Sequence, residues 1–423
     1  MSPIDLRVAI VGGGICGLTC AVGLAKQGIS VQIYEAAAKF GEVGAGVGIG
    51  PNAVRILREL GVLDDVLSRA EDTGCNISMF RFISGMEGHE WIYDYTAGPE
   101  DESRGVHRAA YLDALVSHID PKMAHFNKRC TSISASTDGH NIIHFSDGST
   151  ADADIILGAD GLKSAVRGVV TGTATSSVKF SGGICYRGLV PTTEMRAAGV
   201  KLDLDTRPAC FVGKDKHLIV FPIRGGQIIN VVAFVTNRDV PIGEAVLPPG
   251  EATVVSVPQK EVLDAYEGWG SDVLGLLGCI HNPTKWNINV VYPHLETYVN
   301  GRIALLGDAA HGMMTHLGAG AGQGLEDVYL LVKLISHPQT ASYNIETVLQ
   351  VYDEVRRPRS QNVWEQTLQA GDVYEGCGPH GYSFEGLRQD LTGIWDYVWG
   401  HGVEDDVRDA VRRLENLGVY HSM

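Results

Sequence analysis

Nothing in this chain arranges its cysteines for metal or for a disulfide framework. Cys16, Cys20, Cys75, Cys130, Cys185, Cys210, Cys279 and Cys377 are scattered, with no Cys-x-x-Cys pair and no histidine cluster at ligand spacing. They read as buried free thiols of a reducing compartment, and no metal site is expected. No apolar run approaches the ~20 residues that a bilayer requires, the first strand begins too early to follow a signal peptide, and Tyr420 to Met423 match no targeting tripeptide. A cytoplasmic location is the expectation. Positive charge is scarce as well, 34 Lys and Arg against 50 Asp and Glu, for a net charge of −16. A polyanion would be repelled, which argues against nucleic acid or anionic membrane as a partner, and an anionic substrate would need a locally positive pocket. Repeats and low-complexity tracts are missing, and 44% hydrophobic with 20% charged residues is ordinary for a folded protein. The 423 residues suffice for two or three domains.

What is present is glycine at particular places. Gly12, Gly14 and Gly17 follow the apolar run Val8 to Val11 and open a helical segment, Leu18 to Lys26; a second run, Ile29 to Tyr34, ends at Glu35. This is a strand-turn-helix-strand for a dinucleotide: Gly12 for the tight turn, Gly14 for close approach of a pyrophosphate, Gly17 for helix-on-strand packing. Helix N–H groups and the positive dipole end face the phosphates. Glu35 suits ribose hydroxyls and repels a 2′-phosphate, so FAD or NAD fits and NADP does not. Two further apolar strands deliver a carboxylate to a turn, Asp154 to Gly161 with Asp160 and Arg302 to Asp308 with Asp308. From Gly318 a glycine-alanine segment including Gly320 and Ala321 opens an apolar helix, Leu325 to Ile335, whose exposed amides suit phosphate or a flavin edge.

Along the chain, residues 1 to 75 read as a mononucleotide-binding half, with Gly41 to Gly50 a glycine-rich loop and Asn52 to Leu60 a helix closed by Gly61. Residues 76 to 100 alternate as strand and leave for a neighbouring sheet. Antiparallel strands are predicted at Gly183 to Pro191, Ala209 to Val212, His217 to Pro222 and Gln227 to Thr236. Beyond Ile345 come amphipathic helices near Glu346 to Arg357 and Val403 to Leu417, with Pro358 and Glu375 to Gly381 as interruptions. The fold class is α/β: a Rossmann-like FAD-binding domain over 1–75, 101–177 and 286–345, an inserted, mostly antiparallel substrate sheet over 76–100 and 178–285, and a C-terminal helical region over 346–423.

Gly-x-Gly-x-x-Gly at Gly12, Gly158-Ala159-Asp160-Gly161, and Gly307-Asp308-Ala309-Ala310-His311 before the glycine-alanine loop together resemble the single-component, FAD-dependent aromatic hydroxylases, above all salicylate hydroxylase and its relatives. The resemblance spans nearly the whole chain. It implies tightly bound, non-covalent FAD with NAD(P)H and O2 as co-substrates, a C4a-hydroperoxyflavin that attacks an electron-rich ring, and a small phenolic acid as substrate, with salicylate to catechol plus carbon dioxide leading. It carries an FAD contact to Arg108 and adds Gly48 to the cofactor set. Asp308 would accept from ribityl or ribose hydroxyls, Asp160 mainly fixes its turn, and His311 is assigned support. No second Gly-x-Gly-x-x-Gly serves the nicotinamide, so NADH and NADPH are not distinguished, nor is monomer from homodimer. 3-Hydroxybenzoate-type hydroxylation, dearomatisation of an alkyl-phenol, a flavin dehydrogenase or oxidase and a silent flavin-binding module stay open.

A phenolic acid calls for Arg, His and Tyr on one face of the insertion. Period-two alternation puts His217, Ile219 and Phe221 together, with Arg187 in reach from the neighbouring strand. The resembled family uses an Arg of the insertion's first strand, and residues of the strand matching His217 to Phe221, around its aromatic substrate. The resemblance thus implies Arg187 as anchor for a carboxylate or phenolate and His217 as proton acceptor, with Tyr186, Phe221 and Arg238 as further wall residues. Phe221 stands where several relatives carry Tyr. Thr315-His316-Leu317-Gly318 stands where salicylate hydroxylases commonly read Pro-His-Gln-Gly, so Thr315 faces the flavin in place of Pro, and His316 is kept within reach of substrate or isoalloxazine.

Overall fold

The computed structural model describes residues 6–41, 46–70, 79–98, 101–136, 140–173, 176–244 and 253–421. Cys75 and part of the Gly41 to Gly50 segment therefore lie outside the described residues.

A six-stranded sheet carries the glycine motifs, in the order Val299–Asn300, Ile303–Leu305, Ile155–Gly158, Arg7–Val11, Ser30–Tyr34, Ala124–His125. Its central strands are continuous apolar runs, and Val8 to Val11 and Ile155 to Gly158 are buried throughout, as strands covered on both faces must be. All pairings but the first are parallel. Register aligns Val11 with Tyr34 on one side and Gly158 on the other, and Gly158 with Leu305. Four strands thus end in one row, and the next residue of each, Gly12, Glu35, Ala159 and Leu306, emerges along one edge. Arg7–Val11 has its neighbours on opposite sides, which is the crevice where open parallel sheets bind ligands.

The second large sheet has eight strands, in the order Val254–Ser256, Thr284–Val291, Val178–Pro191, Ile228–Thr236, Lys216–Ile223, Ala209–Gly213, Met79–Ser84, Trp91–Thr96. The four strands expected in the insertion are there, and the described part of 76–100 joins them as the last two. One pairing is parallel, Ala209–Gly213 with Met79–Ser84; the others are antiparallel. Thr284–Val291 runs straight through the expected limit at 285/286, because its register with the long strand continues to Val178 opposite Val291. One face of this sheet packs on Tyr266, Leu276 and Leu277. The other faces Met313, Met314, Trp364, Tyr374 and Trp395, and the functional side chains lie there.

Two expectations are corrected. Gly46–Ile49 is a strand and not a loop; it pairs antiparallel with Arg104–His107, Gly48 opposite Gly105. Glycines at 46 and 105 leave room for the Phe221 ring, which an added Cβ would meet at 3.0 and 3.2 Å. The helix expected to end at Arg357 runs unbroken from Ile345 to Tyr374 with Pro358 inside it. Proline forfeits one backbone bond and costs ~3 kcal/mol. Burial of Val348, Leu349, Tyr352, Val363 and Trp364 on either side of it, with ion pairs from Arg356 and Arg359, outweighs that cost.

Candidate active site

The helix Ile15–Lys26 opens at Gly14 in extended backbone, with neither a capping side chain nor an acid in its first turn. Its first N–H groups and positive dipole end face the crevice, a ready anion site. Gly12, at φ 107°, lies so close to Ala159 that a Cβ would collide with that carbonyl, and a Cβ on Gly17 would collide with Gly12 O. A Cβ on Gly324 would strike Cys16 Sγ and come within 3.2 Å of Gly307 Cα. The first two motifs therefore touch through bare backbone, and the third meets the first at Cys16 Sγ. Asp308 is exposed in the same place, its Oδ1 3.9 Å from where a Cβ of Gly320 would stand. Glu35 accepts from Gly13 N and Ala37 N, both at 2.7 Å. Arg108 begins the helix after His107, and Asp308 and Arg187 both act on its charge. Gly48 lies on the neighbouring strand, and Gly320 and Ala321 form the first turn of Gly320–Ile335. An uncapped helix end, a carboxylate after the second strand, a second acid at Asp308 and a cradle that any side chain would fill all fit FAD.

Asp160 turns inward, accepting from Ser164 Oγ at 2.5 Å and from Ala165 N and Val166 N at 2.7 and 3.2 Å. His311 pairs with Asp327 at 2.6 Å. Asp327 also accepts from Gly307 N at 3.0 Å and from Arg356 at 2.9 Å. Arg356, fully buried, binds Glu326 at 2.8 Å and Asp406 at 3.0 Å as well. The turn that presents Asp308 is thus clamped from the C-terminal helices, and no sequence pattern pointed to Asp327 or Arg356.

On the large sheet, register sets His217 beside Phe234 beside Cys185, and Ile219 beside Val232 beside Arg187. His217, Ile219, Phe221 and Arg187 share the inner face as the alternation requires. Arg187 lies over the Trp286 ring at 5.2 Å and donates to Gly46 O at 3.3 Å. His217 stacks on Phe234 at 4.3 Å, and His316 stands edge-on to it at 5.1 Å. Burial and the neighbouring His217 push His316 down to about 3, so that it is neutral. Thr315 is exposed and starts the turn closed by Gly318 N to Thr315 O. Among the described residues, Arg187 Nε, His217 Nε2, His316 Nδ1 and Asn230 Nδ2 are buried with no hydrogen-bond partner. Buried polar atoms are nearly always satisfied, so several unsatisfied ones on one apolar face mark a ligand site.

Two expected wall residues do not join this set. Tyr186 precedes Arg187 on the strand and so points to the opposite face, where its hydroxyl donates to Glu261 at 3.1 Å. Arg238 is engaged by carboxylates, Glu375 at 2.5 Å, Asp372, and Asp215 at 3.3 Å. Glu375 was missed altogether. It accepts from Thr236 Oγ1 at 2.8 Å and lies 3.0 Å from His217 Nδ1. Burial alone would raise its carboxyl, but the hydrogen bond with His217 and the charge of Arg238 hold it at about 2.

No helix among the described residues is long and apolar enough to cross a membrane, and the seven described cysteines are free.

Comparison with known proteins agrees with this geometry. The FAD binding domain family matches residues 5–182 and 276–367. A salicylate hydroxylase of Pseudomonas putida is 39% identical over 422 residues, 97% of this chain and 96% of the relative. The 6-methylsalicylate 1-monooxygenase atA of Aspergillus terreus is 33% identical over 97% of this chain and 93% of its own. A solved salicylate hydroxylase substrate complex superposes with a TM-score of 0.86 at 33% identity, covering 97% of this chain and 98% of that one. With the FAD cradle and the fold in agreement, this chain belongs to the FAD-dependent aromatic monooxygenases that include salicylate hydroxylase.

Proposed function

We propose that the protein uses NAD(P)H and O2 to hydroxylate a small phenolic acid, with decarboxylative hydroxylation of salicylate to catechol as the leading reaction. The observation that carries this reading is the apolar inner face of the large sheet, where Arg187 Nε, His217 Nε2 and His316 Nδ1 have no protein partner among the described residues. When bound, FAD reduced by NAD(P)H would activate O2, so that one oxygen atom enters the ring and the other leaves as water. Gly12, Gly14, Gly17, Glu35, Gly48, Arg108, Asp308, Gly320 and Ala321 would hold the FAD, with Asp160 fixing the turn beside them. Arg187 orients a carboxylate or phenolate through a charge-assisted bond. His217 takes the phenolic proton, which makes the ring a better nucleophile. His316, uncharged, donates or accepts a hydrogen bond at the ring substituents, and Phe221 shapes the cavity floor against Gly46 and Gly105. Thr315 and Leu317, which replace the usual Pro and Gln, favour testing 3-hydroxybenzoate and alkyl-phenols beside salicylate. The 1–75, 101–177 and 286–345 grouping as FAD domain, a cytoplasmic location supported by the free cysteines, and a monomeric or homodimeric state belong to the same proposal.

The test is a panel of phenolic acids in which NADH and NADPH consumption is compared with oxygenated product. Salicylate should yield stoichiometric catechol; tight coupling on another ring would move the assignment to that ring. Under anaerobic mixing with NADH the flavin should bleach rapidly only with its phenol present. Bleaching by phenol without nicotinamide would establish a dehydrogenase instead.

A further inference from the structure

Glu375 occupies an unfavourable place for an anion. It ends the helix Ile345–Tyr374, where the helix dipole repels negative charge, and its side chain is only 1% exposed. Its Oε1 accepts from Thr236 and faces His217 Nδ1, while Oε2 takes Arg238. An ionised carboxylate only accepts, so His217 Nδ1 must carry the proton, and in the neutral ring Nε2 then presents its lone pair. Nε2 is the buried atom with no hydrogen-bond partner among the described residues.

The other groups around the His217 ring do not compete for a proton. His316 is neutral. Burial pushes the Cys185 thiol up to about 12, and the Cys210 thiol and the Tyr374 phenol well above their ordinary values, so all three are uncharged. Tyr266 donates to the His217 backbone carbonyl. Behind Glu375, Arg238 is the cation, set against Asp215, Asp372 and Glu375 itself. Negative charge is in surplus on the Nδ1 side of the ring.

We propose that Glu375 is the positioning residue of the substrate site: it locks His217 in the Nδ1–H tautomer and stabilises the imidazolium formed when Nε2 takes the proton of the substrate hydroxyl, so that the ring is bound as phenolate. This rests on the reading that a phenol lies against His217. In the step the substrate O–H bond breaks, an N–H bond forms at Nε2, and the electron pair stays on the phenolate oxygen.

The experiment titrates FAD-loaded enzyme carrying a nitro-substituted salicylate, whose coloured phenolate reports ionisation by difference spectrum. In the wild type the bound phenol should ionise at lower pH than in water. Glu375→Gln, with FAD still bound, should raise that midpoint by about one unit or more, a tenfold change in the proton equilibrium, and His217→Asn should return it to the solution value. An unchanged midpoint in Glu375→Gln, with His217→Asn shifted, overturns the proposal and leaves the phenol site standing. A wild-type midpoint equal to that in water overturns both. Should Glu375→Gln fail to fold, 15N shifts of the wild-type His217 ring decide: protonated Nδ1 with bare Nε2 supports the proposal, and the opposite tautomer overturns it.

Discussion

A strand sorts adjacent residues to opposite faces, and Tyr186 and Arg187 show the consequence. Arg187 turns to the inner face with its Nε buried and unpartnered among the described residues, whereas the Tyr186 hydroxyl is satisfied by Glu261 behind the sheet. Arg187→Ala is expected to weaken binding of a carboxylated phenol by ~2 to 4 kcal/mol, because a desolvated charge-assisted contact is lost. FAD absorbance should be retained. Tyr186→Phe is the control: it removes one hydrogen bond, ~1 kcal/mol of stability, and should leave substrate affinity where it was. Equal affinities for Arg187→Ala and wild type, measured by titration of the flavin spectrum, would take Arg187 out of the site. At the same scale, His217→Asn can keep a nitrogen near the Nδ1 position but removes the base, and more of the consumed NADH should end as hydrogen peroxide. Undiminished coupling would retire the proton-transfer role.

At the scale of elements, the first helix lies on the first strand only because Gly17 has no side chain. Even a methyl there would overlap the Gly12 carbonyl, and relief requires the helix to lift away from the edge where its N–H groups face the phosphates. Gly17→Ala should therefore purify colourless or with FAD well below stoichiometric, by the ratio of flavin to protein absorbance. A fully yellow variant would show that the helix has room which the packing denies. The long helix illustrates the opposite case. Its buried face continues past Pro358, and the arginines flanking the proline find carboxylates on Gly320–Ile335 and Val403–Asn416. Those partners arrive from distant sequence, so a rule that ends helices before proline had no means of seeing them.

For the whole molecule, Arg356 joins Glu326, Asp327 and Asp406, and Asp327 in turn holds His311 and the Gly307 amide. Removing one partner of a buried ionic cluster leaves uncompensated charge and costs ~3 to 5 kcal/mol. Arg356→Met should lower the midpoint of thermal unfolding and loosen FAD, since the Asp308 turn loses its support; unfolding in parallel with and without added FAD would show whether the two are linked. Acid should act on the same architecture. Burial opposes ionisation of Glu326, but Arg356 and Arg359 hold it at about 2, and Glu375 is held at about 2 in its own cluster, against an ordinary 4.5. A carboxyl lowered in the folded state stabilises fully above its unfolded value and loses that contribution as pH falls through the folded one. Stability measured by denaturant should hold above pH ~5 and fall between about pH 5 and 2; a flat profile across that window would contradict both clusters.

The class of the fold, the cofactor and the order of the glycine motifs were legible in the chain itself, whereas the strand Gly46–Ile49 and the strands Cys130–Ala135, Asn141–Phe145 and Thr150–Ala153 were not. Glycines at turns, acids at strand ends and apolar runs act over a few residues, and local geometry is all they need. Four strands of the second sheet and the alternation within 76–100 were legible for the same reason, including the face shared by His217, Ile219 and Phe221, whereas Val254–Ser256 and Thr284–Val291 were not. Tertiary structure alone decided which side chains are free to act. Arg238 proved engaged, Tyr186 faced away, and Glu375, at the end of a helix that the proline concealed, came to rest 3.0 Å from His217. Such pairings join residues separated by 158 positions, and what selects them is the cost of burying a charge without a partner, a quantity defined only once the fold has closed around it.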